Sequence, residues 1–124
     1  PGMNLPESNA LEERACRPCE GGIDPLSAER VARLLPQVPG WSVDEAGTTL
    51  SRHFEFDQFP RVMAFVNALA WLANRQGHHP DFTVTAYHCT VNFTTHAIGG
   101  LSENDFICAA RLNRIAHPIT EKAP

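Results

Sequence analysis

His78 and His79 stand side by side ahead of Pro80, and His96 follows 18 residues after His78. Imidazole both gives and takes protons near pH 7, so a gathering of three points first to acid-base chemistry. Metal binding is the rival use. Adjacent residues point apart and neither His-x-His nor His-x-x-x-His occurs, so these positions read as a metal-free pocket. Asp105 is the acid that fits beside them. It falls third in a helix opened by Ser102, where the dipole favours a carboxylate, and it shares an inward-turned face with Cys108, Leu112 and Ile115. Capping and service to the pocket are both open to it. No glycine-rich phosphate loop, Ser/His/Asp order or cysteine with an evident base competes. His53, His88 and His117 read as solvated. Tyr87 and Trp71 read as core or interface aromatics ahead of ring-stacking platforms.

These side chains need elements to hold them. Pro80 drives the residue before it toward extended backbone and lacks a donor, so the histidine pair belongs at a helix exit. Phe82, Val84 and Ala86, then Cys89, Val91 and Phe93, alternate with Thr83, Thr85, Thr90, Asn92 and Thr94. That is the pattern of two half-buried strands, joined by a tight turn near Tyr87. An antiparallel hairpin returns His96 to the end of the sheet at which His78 and His79 enter. Upstream, Ser27 caps a short helix to Leu35, with Val31, Leu34 and Leu35 as its apolar stripe and Pro36 as its stop. Residues 41–43 and 49–56 form another hairpin, with Leu50, Phe54 and Phe56 on one face. Asp57 is expected to cap the longest helix; Pro60 sits in its first turn, and Val62, Phe65, Val66, Leu69 and Leu72 recur at helical spacing down to Arg75. Ser102 and Asp105 resemble a capping box that opens a last helix to about Ile115. The order is helix, hairpin, helix, hairpin, helix. It predicts an α+β domain, a four-stranded antiparallel sheet with three helices packed on one face.

A chain of 124 residues, 43% of them hydrophobic, suits one domain with an ordinary core. With a formal charge of -4 and no run of Lys or Arg it has no basic track for a phosphate backbone, so nucleic-acid binding is not expected. No apolar run reaches membrane-spanning length and no signal-peptide pattern opens the sequence, which points to a cytoplasmic protein without membrane contact. Pro1-Gly2 ahead of Met3 reads as a vector remnant. Residues 1–25 read as a flexible arm ending in Gly21-Gly22 and Pro25, residues 26–117 as the domain and 118–124 as a tail. Cys16 and Cys19 form a lone Cys-x-x-Cys without the second pair that marks a zinc ribbon, and read as part of that arm ahead of a metal or redox site. Cys89 and Cys108 read as small buried hydrophobes. Phe106, Ile107 and Ala110 add more apolar surface to the last helix than one sheet contact covers, which places that helix at an expected subunit interface.

Together, His78-His79-Pro80, Thr95-His96 and Gly100-Leu101-Ser102-Glu103-x-Asp105 resemble the pterin-4a-carbinolamine dehydratases, across roughly residues 25–115. The resemblance implies the same α+β fold, a homodimer or higher homo-oligomer, and dehydration of a 4a-hydroxytetrahydropterin with neither metal nor cofactor. By position, His78 and His96 would be the acid-base groups, Asp105 would support them, and His79 and Pro80 would bind the pterin. Two positions depart from the family pattern. The acidic residue usual four places before the first histidine is Asn74, and the aromatic usual eight places after it is Ala86, with Tyr87 displaced by one. In a strand that displacement turns a side chain to the other face. Residues 16–22 and 95–110 are most similar to a dehydratase-like branch associated with α-carboxysomes, whose members are regarded as RuBisCO assembly factors. Branch and departures together put first a RuBisCO assembly factor or chaperone, carboxysome-associated, with little or no dehydratase activity and a vestigial pterin pocket. The alternative is an active dehydratase that recycles tetrahydrobiopterin by histidine acid-base catalysis.

Overall fold

Alternating apolar residues and turn-forming breaks yield four strands: β1 (Ser42–Val43), β2 (Leu50–Glu55), β3 (Asp81–Val84) and β4 (His88–Phe93). The computed structural model describes residues 10–18 and 21–120. The strands pair antiparallel in the order β1-β2-β4-β3. Among the described residues three α-helices accompany them, α1 (Ala28–Leu34), α2 (Phe59–Gln76) and α3 (Glu103–Thr120), with 3-10 turns at Leu11–Glu13, Leu35–Gln37 and His96–Ile98. The α+β architecture is as expected from the sequence. Among the described residues no helix is long and apolar enough to cross a membrane.

Register decides which face becomes the core. Leu50 lies opposite Phe93 and Phe54 opposite Cys89, so Leu50, Phe54, Cys89, Val91 and Phe93 form one buried surface. Onto it α2 lays Val62, Phe65, Leu69 and Leu72, its 3.6-residue stripe, and α3 lays Phe106 and Leu112. Phe54 and Phe65 meet with ring centroids 4.5 Å apart. Each large side chain so buried is worth about 1.5–3 kcal/mol. Ser27 caps α1 as expected, its Oγ accepting from the Arg30 N–H at 3.1 Å.

Helix boundaries differ from expectation at three points. Asp57 does not cap α2: Gln58 occupies the cap in extended backbone with no side-chain bond, and Asp57 instead faces Arg61 at 3.6 Å, an i,i+4 pair. α2 continues to Gln76 and stops at Gly77, whose φ of 62° is left-handed and whose N–H bonds back to the Ala73 and Asn74 carbonyls. α3 runs past Ile115 and through Pro118 to Thr120, so the expected tail begins inside a helix. Pro118 deletes a bond only in the last turn, buried Ala116 extends the apolar stripe, and Arg61 Nη1 donates to the Ile119 carbonyl at 3.3 Å.

The expected loose arm is also corrected where it is described. Leu11 is buried in the core, and the Leu11–Glu13 turn packs on α3. The Arg111 Nε donates to the Arg14 carbonyl at 2.6 Å, and Asn104 Oδ1 accepts from the Arg17 N–H at 3.0 Å. Cys19 lies outside the described residues, as do Pro1-Gly2. This packing explains why α3 carries apolar residues nearly all round: Phe106, Ile107 and Ala110 are buried within the chain itself. They are not the uncovered surplus from which a subunit contact was expected.

The uncovered apolar surface lies elsewhere. Phe82 and Val84 share the core side of the sheet with Val91 and Cys89, yet stay 40% and 39% exposed because β3 is the edge strand and the helices lie over β2 and β4. β3 is therefore not half-buried as its alternation predicts. Ala86 and Tyr87 fall beyond the strand, in the turn to β4.

Candidate active site

Two chain reversals meet at one end of the sheet. Gly77 ends α2 and delivers His78, His79 and Pro80 to the start of β3. At the same end β4 runs out through Thr95, which pairs with Gly100 around the His96–Ile98 turn. Gly100 is required there, since a Cβ on it would come within 2.7 Å of the Pro25 ring.

Asp105 ties the two segments together. It is fully buried, and one carboxylate oxygen, Oδ2, accepts from the Ser102 backbone N–H at 2.9 Å and the Thr95 hydroxyl at 2.8 Å. The first of these is the back-reaching half of a capping box at the start of α3. The other oxygen, Oδ1, stands 2.6 Å from His78 Nε2. Capping and service to a histidine therefore both hold, one on each oxygen. His78 is further fixed by stacking on Phe93, centroids 5.9 Å apart and planes within 12°. Its Nδ1 is the nitrogen left to meet a ligand.

The charge of His78 follows from this setting. Burial disfavours the imidazolium, but the Asp105 hydrogen bond and the Asp105 charge, with Cys16 adding in the same sense, outweigh it and raise the pKa above the ordinary 6.5. A raised folded-state value makes the interaction fully stabilising below the unfolded value of 6.5, with that stabilisation lost as pH rises through the folded one. Urea titrations of the wild type and His78→Phe at pH 6 and pH 9 should show the stability gap narrowing toward high pH. A gap independent of pH would contradict the Asp105 pairing.

The two reversals enclose an open cleft of about 590 Å³, with His78, His79, His96, Thr95, Asn74 and Cys16 on its walls. All three histidines singled out from the sequence thus face one space, with Asp105 beneath. Pro80 is not among its lining residues; it stands between the end of α2 and the first residue of β3. Ala86 and Tyr87 lie at the far end of β3, beside Phe56, whose N–H donates to the Tyr87 carbonyl at 2.9 Å. The displaced aromatic therefore sits in a turn remote from the cleft of its own chain, and the strand argument for a lost aromatic wall does not apply. Asn74 does line the cleft, but the carboxylate that serves His78 is Asp105.

Some participants were not read from the sequence. Thr95 was seen only as the neighbour of His96, although its hydroxyl holds Asp105. Cys16, Arg17 and Pro18 form a wall from outside the expected domain. Cys16 Sγ lies 3.4 Å from Cys108 Sγ, so Cys108 is a hydrogen-bonded thiol, not a plain hydrophobe. The Cys108 bond, with His78 and Arg111 in support, lowers the Cys16 pKa against the effect of burial, while the same bond and burial push Cys108 up.

A family model described as Pterin 4 alpha carbinolamine dehydratase matches residues 24–115. The chain belongs to that family. A relative from Nitrosospira multiformis is 50% identical over 105 residues, covering 85% of this chain and 91% of its own. One from Xanthomonas axonopodis pv. citri is 54% identical over 101 residues, with coverages of 82% and 86%, and one from Stenotrophomonas maltophilia is 49% identical over 114 residues, with 92% and 95%. All three are named "Putative pterin-4-alpha-carbinolamine dehydratase". Among solved structures, a transcriptional coactivator/pterin dehydratase from Brucella melitensis superposes with a TM-score of 0.71 at 26% identity, covering 75% of this chain and 99% of that one. A pterin dehydratase-like protein described as a RuBisCO assembly factor in the α-carboxysome reaches 0.56 at 23% identity, covering 63% and 90%. The latter likeness is one of fold.

Proposed function

We propose that this pterin-4a-carbinolamine dehydratase family member dehydrates a 4a-hydroxytetrahydropterin. The observation that carries this is the buried Asp105 holding His78, with a raised pKa, at the wall of a cleft it shares with His79 and His96. Elimination of water needs one group to protonate the departing hydroxyl and another to take the proton from the adjacent ring nitrogen as the carbon–nitrogen double bond forms. His78, whose charged form Asp105 favours, is the acid; His96, exposed at the rim, is the base; His79 helps to hold the ring. The names of relatives about 50% identical over most of the chain support the same reaction. The ranking drawn from sequence is thereby reversed, since one of its two departures lies away from the cleft and the other leaves the His78 partner in place. A dehydration assay on enzymatically generated 4a-hydroxytetrahydropterin, run beside an authentic dehydratase, tests it; a rate no higher than the uncatalysed one refutes it.

The second reading keeps the fold and gives up the chemistry, in a chain that assists RuBisCO assembly at the α-carboxysome. Asn74, where the family carries an acid, is the observation that favours it. Its support from the solved assembly factor is at the level of fold. Co-expression that raises the yield of assembled RuBisCO, with no dehydration in the assay above, would move it to first place.

Either reading includes self-association, now through the open edge. β3 leaves one side of its backbone unpaired and exposes Phe82 and Val84, with Tyr87 beyond them. Light scattering of the wild type should give at least a dimer mass at micromolar concentration and Phe82→Asp a monomer; a wild-type monomer would exclude this.

A further inference from the structure

We propose that the outer face of the sheet carries a site for a late first-row divalent metal ion, built from His53, Glu55 and His88. This face is the one turned away from the helices, and β2 and β4 present the three residues by simple register. Glu55 and His88 are direct cross-strand partners, and His53 lies two residues before Glu55, so all three project from the same side. One donor atom from each lies within 4.8 Å of the others. His88 Nε2 is 3.7 Å from Glu55 Oε1, and the two imidazole centroids are 5.0 Å apart.

The threonines behind the rings make this more than a meeting of polar groups. His53 Nδ1 is 2.8 Å from Thr90 Oγ1, and His88 Nδ1 is 3.3 Å from Thr85 Oγ1. Each ring thus has its Nδ1 within reach of a hydroxyl, which leaves Nε2 as the free donor, and His88 Nε2 faces Glu55. Metal-binding histidines are arranged this way, with the far nitrogen donating to an outer partner that fixes ring and tautomer. A tetrahedral ion with bonds of about 2.1 Å needs its donors about 3.4 Å apart, so closure asks for side-chain rotation on exposed rotamers, with no movement of the strands. Two imidazoles and a carboxylate favour zinc, copper(II) or nickel over calcium or magnesium, which prefer oxygen donors throughout. Three protein donors leave a fourth position for water or for a donor from another molecule.

This site is separate from the pterin cleft. The cleft opens at the Phe93 end of β4, whereas His88 begins that strand at the other end and faces the opposite side. The site therefore does not alter the metal-free reading of His78, His79 and His96.

Zinc chloride titrated into the full chain against a chromogenic chelator should show one ion per chain that is lost in His53→Ala/His88→Ala. Thr90→Val, which removes only the hydroxyl behind His53, should weaken binding about tenfold. Circular dichroism confirms that the variants fold, and these exposed positions carry no core packing. Absence of binding at 100-fold excess of zinc over chain, or stoichiometry and affinity undiminished in the double variant, would overturn the assignment, the latter by placing the ion on the thiols or cleft histidines.

Discussion

His78→Gln is expected to slow dehydration by about 100- to 10,000-fold, the range that a positioned acid or base contributes. Glutamine is the informative replacement because its amide can still donate to Asp105 Oδ1, so the buried carboxylate keeps a partner while the proton donor is gone. His96→Ala removes an exposed side chain and should produce a loss of similar size in kcat with little change in stability. The double variant should be scarcely slower than either single one, because groups that act as a unit do not contribute additively. Turnover within threefold of the wild type for both single variants would dissolve the acid-base assignment, whatever the family resemblance.

Asp105→Ala should be the most destabilising single change at the site, at about 3–5 kcal/mol. The alanine strands the Ser102 N–H and His78 Nε2 and takes one of two partners from the Thr95 hydroxyl, which keeps Ser102 Oγ at 2.7 Å. A lost cap alone costs about 0.5–2 kcal/mol, and each hydrogen bond to a charged group about 1.5–3, with incomplete additivity. Native stability is typically only about 5–15 kcal/mol, so the variant should approach the limit of folding. Asp105→Asn separates the two duties. Its carbonyl oxygen can keep the cap, so most stability should survive, but its amide would face His78 Nε2 with a donor and demand the other tautomer. Urea midpoints and kcat together check this: a stable, slow Asn variant beside an unstable Ala variant is the expected pair. An Ala variant within 1 kcal/mol of the wild type would show that Asp105 is not the tie described here.

Much of this site was legible because its positions are punctuated. Pro80 after two histidines, the alternation from Phe82 to Phe93 and Ser102 three residues before Asp105 are local signals, and they placed α2's exit, the hairpin return and the start of α3. What escaped was tertiary. Alternation in β3 marks a strand correctly, but burial depends on whether a helix reaches that strand, and the sheet order puts it at the edge. The apolar circumference of α3 was evident in Phe106, Ile107 and Ala110; that Leu11 and its neighbours would cover part of it was not, because residues 10–18 show no period. Asp57 looks like a cap in sequence, yet one residue of extended backbone at Gln58 moves the helix start beyond its reach. The His53, Glu55 and His88 cluster depends on which strands are neighbours, a fact that spacing along the chain does not contain.

The wall made by Cys16, Arg17 and Pro18 makes the cleft a composite of two portions of the chain. The stretch matched to the family starts at residue 24, so the proton-handling groups and part of the chamber around them are written in different portions of the chain. Substitution at Arg17 or Pro18 would reshape that wall without removing His78, His96 or Asp105, whereas substitution at Cys16 would also reach the charge of His78. The leading portion is fastened by the Cys16 N–H on Gln76 Oε1 at 2.8 Å and by Arg17 on Asn104. The shape of the cleft and the histidine–carboxylate pair beneath it are thus separable by substitution at Arg17 and Pro18.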